Sequence, residues 1–238
     1  MNQDERGRAR KRRALIAVSL LALFTFLALG VWQIERRAWK LALIAAVEER
    51  VHAPPRQAPS PHTWRTMDPR RDAYRHVTIR GRFLNDRETL VQALTEDGAG
   101  FWVMTPLRSD AGFVVLINRG FVPPERAAPA TRRQVSGVTG VTGLLRTSEP
   151  GGSMLRSNQP TQGRWFSRDV AAIAHARGLQ GAAPYFIDAD AAPDRTAWPR
   201  GGMTVLAFPN NHLIYSITWF GLAALSLTGL VLVLRDRR

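Results

Sequence analysis

Cysteine is absent from this 238-residue sequence. Disulfides, thiolate metal sites and a lipidated cysteine anchor are therefore excluded, and cysteine usage gives no reading of the redox compartment. Other chemistry is missing as well. There is no paired-histidine zinc motif, no glycine-rich phosphate loop and no Gly-x-Ser-x-Gly elbow. His52, His62, His76, His175 and His212 are the only histidines, and none stands at metal-ligand spacing from another. Asp188 and Asp190 alternate, but the proline and alanines around them point to a solvated loop. No nucleophile has a visible base. The expectation is that the chain is not an enzyme, although catalytic groups can converge from distant positions.

Formal charge is absent from two long runs. Residues 14–34 (ALIAVSLLALFTFLALGVWQI) and residues 213–234 are apolar and uncharged. As helices they would be roughly 31 and 33 Å long, enough for a hydrocarbon core of about 30 Å. Both read as transmembrane helices. The rival for the first is a cleaved signal peptide. Against it, the run exceeds a signal core and continues into WQIERRAWK without a small-x-small site. A mitochondrial presequence also fits poorly, because the run starts by residue 14 and Asp4 and Glu5 precede it.

Lysine and arginine number 33 against 19 acidic residues, a surplus of 14. In a soluble protein that would suggest nucleic acid. Here Arg6, Arg8, Arg10, Lys11, Arg12 and Arg13 precede the first run, and Arg235, Arg237 and Arg238 follow the second. The positive-inside rule puts both ends in the cytoplasm and the middle across the membrane, away from nucleic acid. The expected organisation is a basic tail (1–13), helix (14–34), extracytoplasmic domain (35–212), helix (213–234) and tail (235–238). Such tails are too short for a signalling domain, and two spans without a buried ionisable residue make a poor transporter. A bacterial cytoplasmic membrane is the favoured location.

The first helix should continue to about Val51 and stop before APPRQAPSP, whose prolines make a stiff linker. Residues 77–83, 89–94, 101–107, 113–122 and 138–146 read as strands, with glycine-bearing turns between several of them. Residues 184–188 and 204–208 are candidate late strands. Ser167 should cap a short helix buried through Val170, Ile173 and Ala174 and ended at Gly178. Ile79-x-Gly81-x-Phe83 resembles Val141-x-Gly143-x-Leu145, either as a weak repeat or as two ordinary strands with a glycine. The fold class is a membrane α+β protein, with two transmembrane helices flanking an antiparallel β-rich domain.

The second apolar run is not uniformly greasy. At 100° per residue, His212, Tyr215, Ser216, Trp219 and Ala223 fall within about 60° of one line. Lipid gives no reward for such a face, whereas a protein partner or a flat cofactor does. A neutral imidazole is the metal-ligating form, which makes His212 a candidate haem axial ligand. The plainer reading is an interfacial histidine capping the helix, with Tyr215 and Trp219 as belt aromatics. On the first helix, Trp32, Arg36 and Lys40 are spaced four apart and Trp39 stands seven after Trp32. That face either anchors at the lipid boundary or meets a partner or an anion such as a haem propionate.

Four blocks in order carry a resemblance: Gly30-Val31-Trp32-Gln33 with Arg36, Trp39 and Lys40; Gly100-Phe101-Trp102-Val103 with Thr105-Pro106-Leu107; residues 115–123 (VLINRGFVP); and Asn211-His212-Leu213 with Tyr215, Thr218, Trp219 and Phe220. Together they resemble the Surfeit locus protein 1 family from about Leu29 to Ala224. The resemblance implies an assembly factor for haem–copper cytochrome c oxidase, acting on subunit I around haem a insertion. It implies transient haem a at His212, with Tyr215 and Trp219 beside it. Trp32, Gln33, Arg36, Lys40, Asn118 and Arg119 are then candidates for partner or propionate contact, and the haem a synthesis machinery is a further partner. Ser216 stands where alanine is common in the family and Phe121 where tryptophan is common. A haem-independent chaperone for subunit I is the alternative, with a membrane enzyme third.

Overall fold

The computed structural model describes residues 3–132, 134–153, 156–194, 196–205, 208 and 210–235. Two compact units emerge, one from both chain ends (Met1–Ala46 with Ala207–Arg238) and one from the middle (Val47–Leu206).

The first unit is a helix pair. Helix α1 runs unbroken over Gln3–His52, and the C-terminal helix covers His212–Arg235. Among the described residues, these two helices are long and apolar enough to cross a membrane. Their contacts run in opposite order along the two chains, as antiparallel helices require. Arg12 donates to the Val233 and Leu234 carbonyls, Phe26 stacks on Trp219, and Ser216 Oγ donates to the Gly30 carbonyl at 3.2 Å. A Cβ at Gly30 would meet the Phe220 ring at 2.7 Å, so only glycine lets that ring lie so close to the backbone. Gly30, Gln33, Ser216, Ala223 and Leu230 are buried, whereas Leu21, Phe24, Ile217 and Leu225 are more than 60% exposed. Apolar surface of that extent is unfavourable in water and ordinary in lipid.

The second unit is built on seven strands: β1 (Arg56–Gln57), β2 (His76–Phe83), β3 (Thr89–Thr95), β4 (Gly98–Ser109), β5 (Val114–Val122), β6 (Val138–Thr147) and β7 (Ala182–Ala189). The sheet order is β1-β2-β6-β7-β5-β4-β3, and β4 also pairs with β2. That extra pairing closes β2, β6, β7, β5 and β4 into a ring. The ring is mixed rather than antiparallel, because β5–β7 is parallel, and β1 adds to β2 in parallel outside the ring. Closure removes the exposed edges that a short sheet otherwise leaves.

Alternation decides which side chains fill the ring. Val77, Ile79, Val115, Ile117, Val141, Leu145, Tyr185 and Ile187 point inward and form the interior core. Each such side chain contributes about 1.5–3 kcal/mol on burial. The outer face of β4, β5 and β7 offers Met104, Leu116 and Phe186 to Trp165, Val170 and Ile173. Helix α2 (Pro69–Asp72) is a single turn; helix α3 (Val170–Ala176) carries the last two of those residues. Strand β5 is covered on both faces, which is why FVVLINRGFV shows no clean polar alternation.

Four expectations are corrected. The α3 cap is Asp169, whose side chain accepts from the Ala172 amide, while Ser167 Oγ accepts from the Gly152 amide and Asn158. The proline linker is docked rather than free: its Arg56 and Gln57 form β1, and the Pro59 carbonyl accepts from both Trp64 and Tyr185. Tyr185, buried along with its hydroxyl, has its pKa pushed up by desolvation. Asp188 is no loop residue but a buried member of β7. Thr204 and Val205 form no strand, and Leu206 and Ala207 lie outside the described residues. The paired glycine motifs also find their cause. A Cβ at Gly81 would collide with the Arg108 carbonyl, and one at Gly143 with the Asp188 carbonyl. Each glycine marks a crossing of neighbouring strands.

Candidate functional site

In the helix pair, the first residue of the C-terminal helix meets Gln33 of α1. His212 Nδ1 and Gln33 Oε1 are 2.7 Å apart. An amide oxygen only accepts, so Nδ1 donates in this contact, and in a neutral ring the lone pair is then on Nε2. A histidine held by Nδ1–H to a carbonyl-type oxygen, with Nε2 as its free donor atom, is the usual arrangement of a metal-ligating imidazole. Gln33 is 9% exposed and His212 is half-buried. The amide would be costly to bury without this partner.

The striped face of the C-terminal helix is partly consumed by packing. Ser216 and Ala223 are buried, and Trp219 stacks on Phe26 at 5.7 Å between ring centroids. Tyr215 remains 54% exposed. On α1, Trp32 and Trp39 are half-exposed, and the Arg36 guanidinium lies 4.5 Å from the centre of the Trp39 ring. Lys40 follows one residue later on the same helix. Among the described residues there is no cluster of three or more histidines or carboxylates able to hold a metal ion.

The other two candidates, Asn118 and Arg119, lie on β5 and point to opposite faces of the ring, as neighbours on a strand must. Asn118 is 4% exposed and donates to Asp188 Oδ1 at 2.8 Å. Asp188 also accepts from Arg146 at 2.7 Å, Arg168 at 3.1 Å and Thr204 at 3.0 Å. Glu149 completes the group through two bonds to Arg168, at 2.6 and 3.0 Å. Burial opposes the Arg168 charge, but Asp188 and Glu149 outweigh it and raise its proton affinity. Two cations and two carboxylates, with Asp188 buried and Glu149 at the solvent edge, thus join β5, β6, β7 and the segment around Thr204. The network was not legible in advance, because its members lie up to 86 positions apart between Asn118 and Thr204.

Arg119 points into the ring instead. It lies 4.0 Å from Glu88, and its guanidinium sits over the Phe83 ring at 5.3 Å. Glu88 is gripped by both terminal nitrogens of Arg132, at 2.7 and 3.0 Å. Burial lowers the Arg119 pKa, Glu88 opposes that and Arg132 adds to it. No motif announces Glu88 or Arg132 in the sequence.

A family model described as the SURF1 family matches residues 20–224. Surfeit locus protein 1 of Mus musculus is 36% identical over 223 residues, which cover 86% of this chain and 71% of the relative. The Homo sapiens protein of that name is 36% identical over 228 residues, 87% and 73% of the two chains. The Xenopus tropicalis protein is 36% identical over 224 residues, 86% and 70%.

Proposed function

The chain belongs to the SURF1 family, and from that premise we propose that it is a membrane assembly factor for cytochrome c oxidase that assists haem a insertion into subunit I. The observation that supports the haem reading most is the His212–Gln33 pair. With Nδ1 engaged by Gln33, Nε2 is the ring atom left to ligate iron, so the residues present fit a haem ligand. In this reading His212 would hold the iron, Tyr215 and Trp219 would contact the haem, and Arg36 and Lys40 with Trp32 would receive the propionate or partner side. Haem a, when bound, supplies the redox-active iron that the oxidase requires. The chain's own residues bind, orient and release it, and the reading assigns them no catalysis. Reversible binding suits a single protein ligand, because a carrier that holds too tightly cannot deliver.

The test combines function with a spectrum. A deletion strain with no second copy should lose most oxidase activity while still making subunit I. The wild-type chain should restore the activity. Purified His212→Ala should lose the axial-ligand signature of bound haem, and Gln33→Leu should weaken haem occupancy about 10–100-fold through the unsupported ring. Normal oxidase activity in the deletion strain would end the assembly reading. Unchanged spectra in both variants would end only the haem part.

One observation favours the rival, a haem-independent chaperone for subunit I. Ser216, Trp219 and Ala223 are engaged within the helix pair, which explains much of the polar and aromatic face without a cofactor. Absence of a Soret band from wild-type protein that still restores the deletion strain would select it.

The proposed location is a bacterial cytoplasmic membrane, with both termini inside and the β unit outside. In spheroplasts, externally added protease should cut within residues 47–206 while a tag before residue 14 survives. Digestion from the cytosolic side alone would reverse the orientation.

A further inference from the structure

Beside β3, the last strand of the sheet, lies a cleft of about 530 Å3 lined by Gln92, Arg156, Ser157, Gln159, Arg164 and Phe166. That volume falls within the usual range for small-molecule sites. The loop that walls it is fixed. Gln159 and Arg164 exchange two backbone hydrogen bonds, at 2.8 and 3.1 Å. Asn158 Oδ1 accepts from the Phe166 and Ser167 amides, and its Nδ2 donates to Ser167 Oγ. The Gln92 amide donates to the carbonyl of buried Trp165, which ties the loop to β3. The backbone of such a wall loses little further entropy when a ligand arrives.

The polar side chains of this lining are uncommitted. Among the described residues, no hydrogen bond or ion pair engages the side chains of Gln92, Arg156, Ser157, Gln159 or Arg164. The Arg156 guanidinium lies 5.6 Å from the centre of the Phe166 ring, a contact that steadies it at the cleft. Among the described residues the lining holds two arginines and no carboxylate. Met154 and Leu155, which lie outside the described residues, carry no charge. Two cations without an anion give the cleft a positive field. Both arginines are exposed, so salt should weaken that field.

We propose that this cleft binds a phosphate monoester, with Arg156 and Arg164 on the phosphate and Gln92, Ser157 and Gln159 as further donors. Such an ester carries a charge of about −1.5 to −2 at neutral pH and three strong acceptor oxygens. A carboxylate offers one charge and would leave the second guanidinium unmatched. Paired guanidinium donors suit phosphate geometry. The site lies wholly within the β unit, so it stands or falls separately from the haem reading at His212.

The test uses the full chain in a neutral detergent at low salt. The chain has no cysteine, so Thr161→Cys provides a single attachment point for an environment-sensitive fluorophore near the cleft without altering a lining residue. Glycerol 3-phosphate should change the emission saturably, and uncharged glycerol should not. Arg156→Gln and Arg164→Gln should each weaken binding about tenfold, the ratio for loss of one charged hydrogen bond. Arg108→Gln, an equal loss of charge at an exposed position on β4, should leave binding unchanged. Lowering the pH from about 7.5 to about 5 takes one charge off the ester, whose second pKa is about 6, and should weaken binding several-fold without altering either arginine. Displacement of glycerol 3-phosphate by phosphatidate in the micelle would identify a lipid headgroup as the source of the ester, and its absence a soluble one. No saturable response to glycerol 3-phosphate, an equal response to glycerol, or equal losses in the Arg156, Arg164 and Arg108 variants overturns the proposal.

Discussion

Replacing Asp188 by alanine is expected to destabilise the β unit by roughly 3–5 kcal/mol, the cost of stripping a buried ion pair of one partner. The reason is the number of groups that depend on it. Asn118, Arg146, Arg168 and Thr204 all donate to this one carboxylate. Without it, two nearly buried guanidiniums share Glu149 alone, which lies 3.7 Å from Arg146 and 2.6 Å from Arg168. For a unit of this size the loss corresponds to roughly 10 °C in unfolding temperature. Tryptophan fluorescence during a thermal ramp of the full chain measures it, since Trp102 and Trp165 lie in this unit. The double variant Asp188→Ala with Arg146→Met should recover part of the loss, because it removes one stranded cation. A drop below about 1 kcal/mol would show that the carboxylate is not the hub described here.

The second large effect is expected at Gly120. Its φ is +121°, and a Cβ there would collide with the Arg200 carbonyl and the Gly201 amide. Neither can easily retreat, because Phe121 and Arg200 exchange two backbone hydrogen bonds of 2.9 Å. The Gly120 amide also donates to Asn118 Oδ1 at 3.1 Å. Gly120→Ala should therefore cost about 3 kcal/mol, from backbone strain together with a lost bridge. The damage should be local at first. Proteolysis under native conditions should cut near residues 198–202 faster in the variant than in wild type. An equal cleavage rate and an unchanged unfolding temperature would show that the segment yields without cost.

Much of this architecture is legible in the sequence. The two apolar helices follow from length and the absence of charge, and five strands follow from short apolar or alternating runs between turn residues. The closure of the ring does not. It depends on Gly81, Arg82 and Phe83 meeting Ser109, Arg108 and Leu107, a pairing that local pattern cannot show. The parallel insertion of β7 beside β5 is equally silent. Site residues divide along the same line. His212 is conspicuous because it is the one histidine opening an apolar run, yet its partner Gln33 is recognised only once the helices pair. Asn118 and Arg119 sit adjacent in an arresting NRG triplet, but strand geometry sends them to different faces and different tasks. Asp188 looks solvated beside its proline and alanines. In fact the strand carries Tyr185 and Ile187 inward and Phe186 and Asp188 outward, where two arginines wait.

The position of β7 between β5 and β6 also sets an order of events during synthesis. Strand β5 ends at Val122 and β7 begins at Ala182, so the start of one lies 182 − 122, or 60, positions after the end of the other. At about 5–20 residues per second, the ribosome takes roughly 3–12 s to deliver the missing strand. Throughout that interval β5, joined by β6 once residues 138–147 have emerged, presents an unpaired edge, a state prone to wrong pairing. When β7 does arrive, the second apolar helix follows within 212 − 189, or 23, residues. If that helix spans a membrane, as proposed above, the nascent barrel and the insertion machinery work on neighbouring stretches of the emerging chain at nearly the same moment.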